Sequence, residues 1–288
     1  MRNVLPVLTV VAAIFVLWYL AALWMNATWT LDQAARMDKT LTFAEIVADT
    51  MTQDRPVVAT PHQVAQTLWE GVFGQKITSK RSFVYHGWVT LEATLWGFAL
   101  GIVLGVGLAV AIVHSRAVDM SVMPWAVISQ TIPIVALAPM IVVVSNAVGV
   151  EDRLVPKAII SAYLSFFPVL VSMVSGLRSP DGMQLDLLKT YGARQSQVFW
   201  KLRLPASLPY FFASLKVAIA ASLIGAIVGE LPTGAIDGLG ARMLIGSQFG
   251  QPLIMWAALF AAAILAGGLI LIVGAIQRAA DRRMGGAQ

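Results

Sequence analysis

The chain has 288 residues, of which 58% are hydrophobic and 12% charged, and its mean hydropathy is +0.77. Soluble domains carry about 25% charged residues. Half that charge cannot cover a water-facing surface of this size, and disorder needs the opposite composition, so a soluble globule and an unfolded chain are both excluded. A net charge of +5 in so apolar a chain reads as cations held at a lipid surface, not as a nucleic-acid footprint.

Residues 4–25 form the first apolar run, preceded by Arg2. A signal peptide has an apolar region of about 7–15 residues and a small-residue cleavage site. This run is longer and no such site closes it, so a membrane helix is predicted. Residues 26–87 are the long polar stretch. Within it residues 31–51 read as a mixed polar helix. Residues 60–73 read as a second helix, with Thr60 as cap and Pro61 at the first helical position. Val64, Leu68 and Val72 then share one face, expected to lie on the membrane surface or on the rest of the molecule.

Apolar runs follow at 88–113, 121–148, 155–177, 208–228 and 252–276. Each is long enough to cross about 30 Å of hydrocarbon at 1.5 Å per residue. They are continuous, whereas barrel strands alternate. Gly97, Gly101, Gly105 and Gly107 in the second run, and Gly267 and Gly268 in the last, are predicted to let helix backbones approach closely, since apolar burial gives no drive in lipid. The expected fold is an all-α polytopic membrane protein of six transmembrane helices. Its two parts are residues 1–87, a membrane helix with an external amphipathic segment, and residues 88–288, a five-helix core. Lys and Arg concentrate at Arg2, at Arg116, in the 178–206 loop (Arg178, Lys189, Arg194, Lys201, Arg203) and at Arg278, Arg282 and Arg283, against Arg153 and Arg242 in the opposite loops. That asymmetry puts both termini and the 178–206 loop in the cytoplasm.

The 178–206 loop is amphipathic. Leu187, Tyr191, Val198 and Leu202 recur at helical steps, Gly192 interrupts them, and Pro205 is expected to end the element. Two short helices meeting at an angle are predicted. Such a pair can lie on lipid or fill a groove in a partner protein, and the residues alone leave both open. Elsewhere, Gln130 and Thr131 precede Pro133 and Pro139, so a broken helix there is a candidate for lining a path. Ser165 belongs to a serine series (Ser161, Ser165, Ser172, Ser175) read as back-bonding or as a polar face. Glu230 ends the fifth run at a depth where an ionisable group is a functional candidate. Lys157 is expected to snorkel outward, and Trp18, Trp24, Trp88 and Trp125 to form interfacial belts. The chain has no Cys, and its three His show no ligand spacing, so no metal site is expected. No G-x-x-x-x-G-K-[ST] segment occurs, so the chain is not expected to hydrolyse ATP.

The loop resembles a known family. Asp186-Leu187-Leu188, Gly192 and Leu202-Arg203-Leu204-Pro205 match the spacing of the E-A-A-x-x-x-G-x(9)-I-x-L-P loop of permease subunits of binding-protein-dependent ABC importers. Asp stands for Glu and Leu-Leu for Ala-Ala. Gln130-Thr-Ile-Pro133, Ala136-Leu-Ala-Pro139, Gly225-Ala-Ile-Val-Gly-Glu230 and Gly238-Leu-Gly240 are similar to the nitrate, sulfonate, taurine and thiamine-precursor branch. The resemblance implies a type I importer permease of the cell inner membrane. It would pair with a second copy or a close relative, dock two cytoplasmic ATPase subunits, and receive solute from a periplasmic binding protein. ATP and magnesium would be bound by the partner, and no cofactor by this chain. Asp186, Leu187, Leu188, Tyr191, Gly192, Ala193, Leu202, Leu204 and Pro205 would form the coupling element. Gln130, Thr131, Ser165 and Glu230 are the candidates for the path. The expected cargo is a small polar or anionic solute: a sulfonate, nitrate or a nitrogen heterocycle. An ATP-independent secondary carrier would need midplane ion-coupling carboxylates and inverted repeats, and a membrane-embedded enzyme would need clustered acids or a Ser–His pair; neither is evident in the sequence.

Overall fold

The computed structural model describes residues 4–232 and 236–283, and among them every regular element is helical. Five helices are long and apolar enough to cross a membrane, or six if one bent pair counts as a single span. Contacts divide the chain into two units, Met1–Gly87 with Ala241–Ala262, and Trp88–Gly240 with Ala263–Gln288. Residues 241–262, which the sequence reading assigns to the core, therefore group with the first unit.

In the first unit α1 (Val4–Arg36) is longer than its apolar run. It absorbs the start of the expected polar helix, and only α2 (Phe43–Thr52) remains of the rest. Asp38, at φ 53°, makes the reversal between them. Buried Asn26 fixes the connection that follows α2: its Nδ2 donates to the Val58 carbonyl and its Oδ1 accepts from the Val58 amide, both at 3.0 Å. Thr30 donates to Asp49 at 2.7 Å and receives the Gln53 amide at 2.9 Å. The second expected helix forms as read: α3 (Pro61–Phe73) begins at Thr60, whose hydroxyl donates to Gln63 Oε1 at 2.8 Å. Val64 is buried, with Leu68 and Val72 half-buried behind it. Trp18 stacks on Phe260 and hydrogen-bonds the Ala59 carbonyl, so it is a packing residue and not a belt residue. Trp24, Trp88 and Trp125 are exposed.

The second unit holds most of α4 (Phe83–His114), then α5 (Arg116–Ser129), α6 (Ile134–Ala147) and α7 (Leu154–Leu177). It continues through α8 (Gly182–Thr190), α9 (Gln195–Val198), a π turn at Phe199–Arg203 and α10 (Leu204–Glu230). α11 (Leu239–Gln248) and α12 (Pro252–Arg283) follow. The expected third span is broken: α5 and α6 meet at 103°. Pro133 is the cause, because it has no N–H for the Ser129 carbonyl and its ring opposes a helical turn. That carbonyl accepts the Ile132 amide at 3.3 Å in the tighter turn and the Tyr163 hydroxyl of α7.

α7 is the centre of this unit, with Ile160, Val169, Leu170 and Leu177 fully buried and α10 packed along it. The close approach of α4 depends on glycine. A Cβ on Gly97 would collide with the Ser161 side chain, one on Gly101 with Ser165, and one on Gly105 would lie 2.7 Å from the Phe166 carbonyl. The expectation of a tight glycine crossing is thus met at these three, but Gly107, Gly267 and Gly268 have nothing within 4 Å.

Candidate functional site

The elbow between α7 and α10 is built by backbone chemistry. α8 ends in a two-bond cap: the Ala193 amide donates to the Leu188 carbonyl at 3.0 Å and the Gly192 amide to the Lys189 carbonyl at 2.9 Å. That closure needs a left-handed residue at its centre, and Gly192 has φ +68°. The chain restarts at once, as Arg194 donates its amide to Gln197 Oε1 at 2.8 Å. The two helices predicted around Gly192 are therefore present.

Pro205 does not end the second one. α9, the π turn and α10 run on as one helix from Gln195 to Glu230. Pro205 lies in the first turn of α10, where its missing N–H is accommodated: the Leu204 amide reaches back to Phe199, one residue further than an α-helix allows.

The apolar stripe read from the sequence divides into two. Val198 is buried and Leu202 half-buried, so both belong to the protein's own packing. Leu187 is 57% and Tyr191 80% exposed, and Met183 beside them is 78% exposed. Asp186 and Gly192 are exposed, Leu188, Ala193 and Leu204 half-buried, and Pro205 exposed. Asp186 pairs with Lys189 at 2.9 Å in full solvent, a contact worth little to stability. The elbow thus presents a fixed bend carrying large apolar side chains that none of the described residues covers.

The path candidates fall at separate places. Gln130 and Thr131 sit at the α5–α6 break, Gln130 half-buried and Thr131 exposed with its hydroxyl bonded to the Ile128 carbonyl at 2.8 Å. Ser165 is buried and donates to the Gly97 carbonyl at 3.3 Å, so it joins α7 to α4. Ser175 back-bonds to Val171 at 2.9 Å, as the serine series predicts, whereas the Ser161 hydroxyl is buried without a partner among the described residues.

Glu230 is wholly buried at the far end of α10. Its Oε1 accepts from the Thr90 hydroxyl at 2.8 Å and its Oε2 from the Gly240 amide at 2.7 Å, while the Leu239 amide donates to Thr90 at 2.9 Å. Gly238, at φ +124°, lies against the carboxyl group, where a Cβ would collide with it. The carboxyl group therefore ties α4, α10 and the start of α11 together. Sequence reading flagged Glu230 but not Thr90; nothing in the local pattern marks a threonine whose partners are 140 positions away. Lys157, expected to snorkel, is buried at 4% exposure.

Fold and elbow define a polytopic helical membrane protein with a rigid, partly uncovered bend between two of its spans. Residues 101–286 match the family model described as the binding-protein-dependent transport system inner membrane component. The chain is 37% identical over 177 residues to the formylaminopyrimidine transport permease protein ThiX of Halalkalibacterium halodurans, covering 60% of this chain and 68% of that one. It is 29% identical over 223 residues to the riboflavin transport system permease protein RibX of Chloroflexus aurantiacus, covering 77% and 78%. Among solved structures, the inward-facing MetNI methionine ABC transporter matches with a TM-score of 0.56 at 20% identity, over 68% of this chain and 95% of that one, a likeness of fold. The chain belongs to the family of binding-protein-dependent inner-membrane transport components, in the nitrate, sulfonate and thiamine-precursor branch. It is a multi-pass inner-membrane permease subunit of an ABC importer and is not itself the ATPase. Family membership implies an ATPase and a substrate-binding protein as its partners, and it excludes the secondary-carrier reading.

Proposed function

We propose that this permease imports a small polar solute by alternating access, driven through the 178–206 elbow. Two ATPase subunits bind ATP and magnesium on the cytoplasmic side, where both termini also lie. A second permease copy or close relative completes the path, and a periplasmic binding protein delivers the solute. The supporting observation is the elbow. It is rigid, because α8 is capped at Gly192 and α9 continues without interruption into α10. It is also unfinished, because Met183, Leu187 and Tyr191 are exposed. Apolar side chains on a bent helical element suit a protein groove. The uninterrupted helix from Gln195 to Glu230 gives a stiff lever from that groove to the far end of the second unit. Around it, Asp186, Leu188, Ala193, Leu202, Leu204 and Pro205 shape the coupling element, and Gln130, Thr131, Ser165 and Glu230 are assigned to the path or its support.

The solute is a nitrogen heterocycle or a small anion such as nitrate or a sulfonate. Relatives named for formylaminopyrimidine and riboflavin transport favour the heterocycle. The test is co-purification with the co-expressed ATPase, followed by uptake in proteoliposomes. Leu187→Asp with Tyr191→Asp, and separately Ala193→Asp, are expected to abolish ATPase capture while the chain remains monodisperse in detergent. Capture at normal yield from these variants would overturn the coupling assignment.

A further inference from the structure

The helix α3 lies outside residues 101–286, the part that matches the family model, and its surface divides three ways. Val64 and Gly71 are buried and Leu68 and Val72 half-buried, so one side packs within the first unit. Gln66 and Glu70 are exposed and pair with each other, Nε2 donating to Oε1 at 2.9 Å. Between those two sides run Ala65, Trp69 and Phe73, successive turns of one face and all exposed. The Trp69 and Phe73 ring centroids lie 4.3 Å apart, and none of the described residues covers the pair, at 66% and 67% exposure. Beside a protein side and a polar side, α3 thus carries a third strip that is apolar and open.

The depth of α3 follows from its neighbours. At its start the Trp18 indole donates to the Ala59 carbonyl at 2.9 Å, and the Tyr19 ring stacks on His62. Trp18 and Tyr19 belong to the apolar run at 4–25 and stand about 10 Å short of its end at 1.5 Å per residue. Further along, Gly71 lies against the Phe83 ring, where a Cβ would collide. Phe83 opens α4 ahead of the apolar run at 88–113. α3 therefore rises obliquely through the boundary between hydrocarbon and headgroups. Exposed Lys76, Lys80 and Arg81 follow it, at the level of lipid phosphates. We propose that α3 is an interfacial anchor. Ala65, Trp69 and Phe73 seat in the headgroup–acyl boundary of the bilayer, while Gln66 and Glu70 face water. A water-soluble partner could reach the strip only by entering that boundary itself. The proposal holds whichever solute is carried and does not depend on the elbow.

The experiment uses the full chain with its ATPase in nanodiscs of phosphatidylethanolamine and phosphatidylglycerol. The cysteine-free sequence lets one spin label be placed at a time. Ala65→Cys, Phe73→Cys and, from the polar side, Gln66→Cys are labelled. Collision with oxygen, which concentrates in lipid, is compared with collision with a water-soluble nickel chelate. The oxygen-to-nickel ratio is expected to be about fivefold higher at Ala65→Cys and Phe73→Cys than at Gln66→Cys, for a strip about 5–10 Å into the headgroup–acyl boundary. Ala65→Cys keeps both aromatic rings. Adding Trp69→Ser and Phe73→Ser to it is expected to lower its ratio to that of Gln66→Cys while the protein stays monodisperse in detergent. Equal ratios at the three labelled positions overturn the anchor. Weak collision with both reagents at Ala65→Cys and Phe73→Cys also overturns it, in favour of a protein cover, and disulfide crosslinking of Phe73→Cys between copies would identify that cover as a second permease. An unchanged ratio after Trp69→Ser and Phe73→Ser overturns the anchoring role of the aromatic pair. Should that variant fail to assemble, the three single-label ratios decide alone.

Discussion

The α4–α7–α10 crossing and the 178–206 elbow both depend on glycine, for opposite reasons. At Gly97 and Gly101 the missing side chain makes room for Ser161 and Ser165 on the neighbouring helix. At Gly192 there is open space all round, and what the residue supplies is a left-handed φ of +68°. In the crossing the packing is closed within the protein, with the buried Ser161 hydroxyl the one polar group there that lacks a partner among the described residues. In the elbow the backbone is satisfied and the side chains Met183, Leu187 and Tyr191 are not. A region completed from within is a scaffold; a region with a closed backbone and an open apolar surface is shaped for something else.

The crossing is the more sensitive of the two regions. Gly101→Leu drives four heavy atoms into Ser165 and the Phe166 backbone. It is expected to cost about 3 kcal/mol or more, seen as loss of monodisperse protein in detergent. Gly107→Leu, with nothing within 4 Å, should leave yield and melting temperature unchanged and serves as the control. Next is Glu230→Ala, which strips the Gly240 amide and the Thr90 hydroxyl of their shared acceptor in a wholly buried place. A loss of about 2–3 kcal/mol is expected by thermal unfolding, with Glu230→Gln intermediate, since it keeps one acceptor.

At the elbow, Gly192→Val places a β-branched residue in left-handed conformation at about 1–2 kcal/mol. The expected signature is a small fall in melting temperature together with lost ATPase capture, where Gly101→Leu loses folded protein first. The smallest effect lies in the first unit. Glu45 accepts the Thr42 amide at 2.7 Å, and that bond holds its carboxyl below the ordinary range. A lowered folded-state value means the cap contributes fully above the unfolded value and is lost as pH falls through the lowered one. Amide exchange in α2 is therefore expected to quicken on acidification, and Glu45→Gln to remove that pH dependence.

Much of this was legible from residue patterns that act locally. Thr60-Pro61 marks a helix start whatever lies around it, and Gly192 followed by a second amphipathic segment marks a bend. What local pattern could not supply was the identity of neighbours. Pro205 reads as a stop because proline breaks an α-helix, but a π turn upstream absorbs its missing donor and the helix continues. Lys157 reads as a snorkelling cation at a helix edge, but α7 is the most buried span and takes the lysine inside with it.

Composition and apolar run length by themselves determined that the chain spans a membrane as helices, because hydrocarbon leaves a backbone no other way to satisfy its polar groups. Gly192 between two amphipathic segments likewise determined where the bend falls, since the closing cap of α8 needs a left-handed residue there. Which side chains are hidden and which stay open was decided by tertiary structure alone: Thr90 meets Glu230, Tyr163 meets the Ser129 carbonyl before the α5–α6 break, and Leu187 stays largely exposed. Burial depends on what crosses a residue from far along the chain, and no local period records that.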